Sequence, residues 1–306
     1  MTHSSQNNLP SNPETNFNEQ STDILRPSRL RNEKISLPEL FGALMAVTTP
    51  DGIQASTWDL YHGAIFGRDS EHVALDLVPW IPSISDRVIF SLIRFQGSKS
   101  DVITEEEEGR IHHEYRHLFV GGKKVGLAQE KLLQQLSSIW GGSDKEMIYY
   151  GTVDATPQLV RLVAQHCRYY GPSILETEFI HRNGQVRTVK ESVLLALSWI
   201  VKRIESSSLH LLEFQRTNPN GIRWQVMRDG VLAYMHKNGD LANSNAPIAS
   251  LEVQALAYDA LVLGGELFIS QIPEQAKKWQ EIAQALQKSV FERFWMKDQN
   301  FFRHGY

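Results

Sequence analysis

One cysteine, Cys167, occurs in 306 residues. That excludes an internal disulfide framework and fits a reducing compartment. No apolar run approaches the roughly 20 residues that a membrane span needs. The N-terminus lacks the charged start, apolar core and small-residue cleavage site of a secretory leader. A basic excess is also missing: 31 Lys and Arg against 35 Asp and Glu leave a net charge of −4, so no positive field favours nucleic acid. These absences predict a soluble, cytoplasmic protein with neither nucleic acid nor membrane as a partner. Large apolar side chains are nearly absent from residues 1–34, which are rich in Ser, Asn, Gln, Thr and Pro. Such a segment cannot offset its ordering entropy, and it reads as a disordered polar tail.

From Ile35 onward the texture becomes globular, in a chain that is 42% hydrophobic and 22% charged. Apolar positions spaced by three and four predict helices over Leu37–Val47, Ser70–Val78, Asp86–Phe95, Leu127–Ile139, Pro157–Tyr170, Val189–Ile204, Ile248–Phe268 and Glu274–Phe294. In the sixth, Val193, Leu194, Leu197, Ile200, Val201 and Ile204 share one face. Thr156-Pro157 reads as a helix start, a hydroxyl cap followed by a ring that needs no N–H. Strand-like alternation is sparse and is best over Arg223–Met235, where Asp229-Gly230 would make a hairpin turn. The expectation is an all-α toroid or bundle over residues 35–306.

Four strings carry candidate chemistry, and each has a plainer reading. In Phe66-Gly67-Arg68-Asp69-Ser70, Asp69 precedes an apolar run and suits a helix N-cap. His113-Glu114-Tyr115-Arg116-His117 matches His-Glu-x-x-His, which on a helix binds zinc with the Glu as general base, Glu130 being a candidate third ligand. Glycines on both sides leave little room for that helix, and the preceding run Glu105–Glu108 reads as a solvated loop. In Tyr149-Tyr150-Gly151-Thr152-Val153-Asp154-Ala155-Thr156-Pro157, Thr156 already supplies the cap, so Asp154 is free to face a cleft. Its plainer reading is a loop Asp bonding nearby backbone. In Arg228-Asp229 and the later Glu252-Val253-Gln254, an acid follows a base and a second acid sits on a Pro-opened helix. Glu252, Asp259 and Glu266 recur every seven residues, so Glu252 also reads as part of a solvated stripe.

Taken in order, these strings resemble the amylo-α-1,6-glucosidase part of glycogen-debranching enzymes, a family of (α/α)6-barrel glycoside hydrolases. Gly109-Arg110-Ile111-His112-His113-Glu114-Tyr115-Arg116, which contains the second string, resembles that family's Gly-Lys-Ile-x-His-Glu-x-Arg, and the third nearly repeats its Tyr-Tyr-Gly-Ser-Val-Asp-Ala-Thr-Pro. Around Asp229 the family reads Gln-Gly-Trp-Lys-Asp-Ser; Gln225, Arg228 and Asp229 agree, whereas Val226-Met227 replace Gly-Trp and Gly230 replaces Ser. The resemblance spans residues 40–300 and about the first two-thirds of such a barrel. It implies an incomplete (α/α)6 toroid of helical hairpins, with the remaining helices supplied elsewhere, a second chain being one source.

The resemblance further implies inverting hydrolysis of an α-glucan or small α-glucoside at α-1,6 branch linkages, with no cofactor and no metal. Asp229 would be the general acid, and the base would lie outside this chain. Substrate contacts would come from Phe66, Arg68, Asp69, His113, Glu114, Arg116, Tyr150, Asp154, Arg228 and Glu252. The tyrosines at 149 and 150 would offer ring faces to a sugar. Two alternatives stand beside this reading: a carbohydrate-binding relative without hydrolysis, and a zinc hydrolase using His113 and His117.

Overall fold

A computed structural model describes residues 37–306; the polar segment 1–34 lies outside them. The chain divides into two units, Met1–Met45 and Ala46–Tyr306. Helix α1 (Leu37–Val47) begins in the first. Everything below concerns the second.

Helices dominate, as the periodicity predicts. After α1 come α2 (Gly67–Leu77), α3 (Pro82–Arg94), α4 (Leu127–Trp140), α5 (Ala155–Tyr170), α6 (Val189–Ser206), α7 (Leu251–Phe268) and α8 (Pro273–Phe294). All eight expected helices exist, with boundaries set by local chemistry. Pro82 and Pro273 occupy the first positions of α3 and α8, where a missing N–H costs nothing. Thr188 and Glu191 close a capping box on α6. The apolar face of α6 is buried at Val193, Leu197, Ile200, Val201 and Ile204. No helix among the described residues is long and apolar enough to cross a membrane.

Helix α5 packs between α2 and α7, while α3, α6 and α8 pack respectively on α2, α5 and α7. The arrangement is three helical hairpins side by side around a common core containing Leu159, Val163, Leu197, Leu261 and Trp224. Two ion pairs give the relative direction of α5 and α7. Arg161 meets Asp259 at 3.2 Å and Arg168 meets Glu266 at 3.6 Å. Both partners advance by seven residues, so the helices run parallel, and both begin at the same end. Asp259 and Glu266 therefore face α5 while remaining half-exposed, so this stretch of the expected solvated stripe also carries ion pairs between helices.

Three expectations fail here. Residues 223–235 contain no paired strand, and one isolated bridge joins Met235 to Leu241. The segment is an irregular loop pinned by Trp224, whose indole N–H donates to the Val231 carbonyl at 3.2 Å. Pro247 does not open α7; Ile248–Ala249 pairs with Glu213–Phe214, and Ser250 is the N-cap. Thr156 is not a cap, because its hydroxyl accepts from the Ile111 N–H at 2.9 Å.

The sequence also conceals a three-stranded antiparallel sheet in the order β1 (Ala64–Phe66), β2 (Glu114–His117) and β3 (Glu146–Tyr149). Its register aligns Phe66, Glu114 and Tyr149. Beyond that row, Gly67 N–H bonds the His113 carbonyl at 3.1 Å and His113 N–H bonds the Tyr149 carbonyl at 2.7 Å. Three strings distant in sequence are thereby stitched together where α2 and α5 begin. Only glycine fits at 67, because a Cβ there would lie 2.4 Å from the His112 carbonyl oxygen.

Candidate active site

The N-terminal ends of α2, α5 and α7 meet at the guanidinium of Arg68, which is buried. Its Nη1 lies 3.2 Å from Asp154 Oδ2, its Nη2 3.7 Å from Asp229 Oδ2, and its Nε 3.7 Å from Asp69 Oδ2. One cation thus joins carboxylates from three separate strings. Burial acts to lower the Arg68 pKa, and the three carboxylates more than offset it.

The three acids differ in access. Asp154 is 1% exposed. Its Oδ1 accepts from the Thr152 hydroxyl and its Oδ2 from Arg68. Although it occupies the N-cap position of α5, its side chain caps nothing; it anchors Arg68. Asp69 and Asp229 keep 59% and 44% of their side-chain surfaces open to solvent. Asp69 is not an N-cap either, since Phe66 holds that position and Asp69 sits in the first turn.

Burial raises the Asp229 carboxyl above its ordinary range; Arg68 pulls the other way, and Asp69 and Asp154 push it up. The cation that opposes protonation is Arg68 and not the adjacent Arg228, which is exposed and acts on Glu252. Half-buried Glu252 is raised by its own desolvation and by Asp154, so it belongs to the same field. A further acid, Glu71, one turn along α2 from Arg68, was not foreseen. It is fully buried, and neither carboxyl oxygen has a hydrogen-bond partner. Desolvation, with Asp154 close by, drives its pKa well up. A Glu inside an amphipathic helix carries no sequence mark that separates it from a surface acid.

Other expected residues lie close without joining the cluster. His113 is buried edge-on to Phe66 at 5.4 Å, and burial, with Arg68 nearby, pushes its pKa down to about 3. Glu114 and Arg116 pair with one another in a buried bridge, and Arg116 also donates to the Leu60 carbonyl at 2.6 Å. Tyr150 is a correction: it is fully buried and donates its hydroxyl to the Phe95 carbonyl at 2.6 Å. Tyr149 is equally buried, stacked on Trp140 at 4.4 Å. Neither ring offers a face to a ligand.

The His-Glu-x-x-His string forms β2 and not a helix. Residues four apart on a strand lie roughly 13 Å from one another, too far to share one zinc ion. Glu130 is engaged with Lys124 at 2.8 Å. Among the described residues no group of three or more His, Cys, Asp or Glu is placed to hold a metal. A cleft of about 710 Å³ lies elsewhere, lined by apolar groups including Ile248, Phe301 and Phe302. It shares none of these carboxylates.

No protein-family model and no curated protein matches this chain.

Proposed function

We propose that the protein is a glycoside hydrolase acting on α-glucosidic linkages, α-1,6 branch points in particular, with Asp229 as general acid. The observation carrying this reading is the Arg68 cluster. Residues of three separate strings, which the resemblance assigns to one sugar site, gather on one guanidinium near the N-terminal ends of three neighbouring helices, two of their carboxylates open to solvent. The three hairpins, with α5 and α7 running parallel, support the reading of this unit as part of an (α/α)6 toroid. In the reaction the Asp229 carboxyl transfers its proton to the glycosidic oxygen as the bond to the anomeric carbon breaks. Water adds from the opposite face and loses a proton to a base, a role assigned to no residue of this cluster. Partial desolvation of Asp229, with Asp69 and Asp154 nearby, shifts its pKa upward, the direction an acid needs. Asp69, Arg228 and Glu252 offer charged hydrogen bonds to sugar hydroxyls, with Phe66 and His113 beside them. No cofactor is required by this chemistry.

Carbohydrate binding without hydrolysis is the second reading, favoured by Arg68, which stabilises the ionised form of Asp229. Glucose release from a limit dextrin and from isomaltose separates the two. Release by wild type that vanishes in Asp229→Asn, with sugar-induced thermal stabilisation retained, is expected of the hydrolase. Stabilisation without release identifies the binder, and turnover unchanged in Asp229→Asn sinks the acid assignment.

A further inference from the structure

Glu105 was expected in a solvated charge run, yet it is 3% exposed and Glu106 is 2% exposed. Its backbone is left-handed, at φ 56°, a conformation that a Glu adopts only when its surroundings impose it. Those surroundings are donors. Glu105 Oε1 accepts from the Thr217 N–H at 2.7 Å and the Asn218 N–H at 2.8 Å. Glu105 Oε2 accepts from the Gln225 side-chain amide. The other end of that amide, Gln225 Oε1, accepts from Arg110 Nη2 at 3.2 Å. Arg110 in turn donates through Nη1 to the Glu105 carbonyl at 2.9 Å and through Nε to the Thr152 carbonyl at 3.0 Å. The Gln225 carbonyl closes the circuit by accepting from the Val153 N–H at 2.9 Å.

The circuit links two loops. One is 150–154, which ends at Asp154; the other is 217–229, which ends at Asp229. Both oxygens of a buried carboxylate grip the second loop at its start and again four residues before the acid. No ladder or helix holds residues 217–229 in place. We propose that Glu105 is the positioning residue of the Asp229 loop, setting the acid against Arg68 and Asp154 through Gln225 and Arg110. Glu105 touches no ligand itself. Its role in turnover rests on the hydrolase reading above, whereas the tether does not.

The swap between positions 105 and 225 tests the tether. In Glu105→Gln, two amides face each other and the grip at Gln225 is lost. In the double variant Glu105→Gln/Gln225→Glu, the amide donates to the carboxylate, with the charge still beside Arg110. Trypsin cleavage after Arg216, Arg223 and Arg228, followed by mass spectrometry, reads the opening of the loop. Losing hydrogen bonds to a charged group is expected to raise cleavage there by about tenfold or more in Glu105→Gln, with the circular dichroism unchanged. The double variant should return it toward wild type. Where wild type turns over isomaltose, kcat should fall in Glu105→Gln and recover in the swap. Wild-type cleavage in a folded Glu105→Gln overturns the proposal. Should that variant fail to fold, a folded double variant with wild-type cleavage upholds the tether, and an unfolded or rapidly cut one overturns it. Absence of turnover and of sugar stabilisation in wild type would count against the hydrolase reading and leave the cleavage result to judge the tether.

Discussion

Arg68 is one buried cation serving three carboxylates, and the geometry makes its loss unequal for them. Asp69 and Asp229 can return to water, but Asp154, at 1% exposure, cannot. Arg68→Ala should therefore destabilise the fold by about 3–5 kcal/mol, the usual result of stranding one partner of a buried pair; urea denaturation monitored by circular dichroism measures it. The same residue-scale logic gives a pH dependence. His112 and His113 are held neutral by burial, their pKa values near 3 against an ordinary 6.5. Above pH 6.5 they do not disfavour folding. Below it the unfolded chain takes up protons that the folded state refuses, so stability should fall by up to about 1.4 kcal/mol per pH unit per imidazole. Glu71 acts in the opposite direction. A raised carboxyl pKa contributes stability in full below its unfolded value, and that contribution is lost as pH rises. Glu71→Gln should flatten this alkaline limb while leaving the acid limb in place, as read by denaturation midpoints across pH. Sequence alone marked His113 and Asp154 through their strings. It gave no warning of Glu71 or Glu105, because burial of an acid depends on what packs over it.

At the scale of elements, all eight helices were legible, and α2, α3 and α5–α8 bury apolar faces written at 3.6-residue spacing, whereas Leu40, Phe41 and Met45 of α1 stay exposed. Starts were less legible. Helix α3 begins at Pro82, four residues before the expected Asp86, and the start of α7 moved to Leu251 because Ile248–Ala249 finds a strand partner at Glu213–Phe214. The sheet β1-β2-β3 was invisible: its strands are three or four residues long, and β2 buries Glu114 and Arg116 as a pair, which erases the apolar alternation that marks a strand. Its junction with α2 is a sensitive point. Gly67→Ala places a methyl 2.4 Å from the His112 backbone carbonyl, just ahead of β2. It should cost about 1–3 kcal/mol or more, as overpacking does. A lowered thermal midpoint is expected, and an unchanged one would show that the junction relaxes.

At the scale of the molecule, the candidate site exists only because α2, α5 and α7 bring their N-terminal ends together. On the proposed function, a sugar bound at the cluster should stabilise the whole fold by linkage, about 2.7 kcal/mol at a hundredfold excess over the dissociation constant. Thermal scans with maltose and isomaltose check this, and Arg68→Ala should abolish the shift. The amino-acid sequence by itself determined that the chain is predominantly helical, where its helices lie, and which acids belonged to motif strings, since periodicity, caps and charge are local properties. Only the tertiary structure decided which acids meet. It gathered Asp69, Asp154 and Asp229 on Arg68, buried Glu71 and Glu105, spent Tyr149 and Tyr150 on the core, and laid the His-Glu-x-x-His string in a strand. Those outcomes depend on contacts between segments far apart in the chain, where desolvation and partner geometry outweigh local preference.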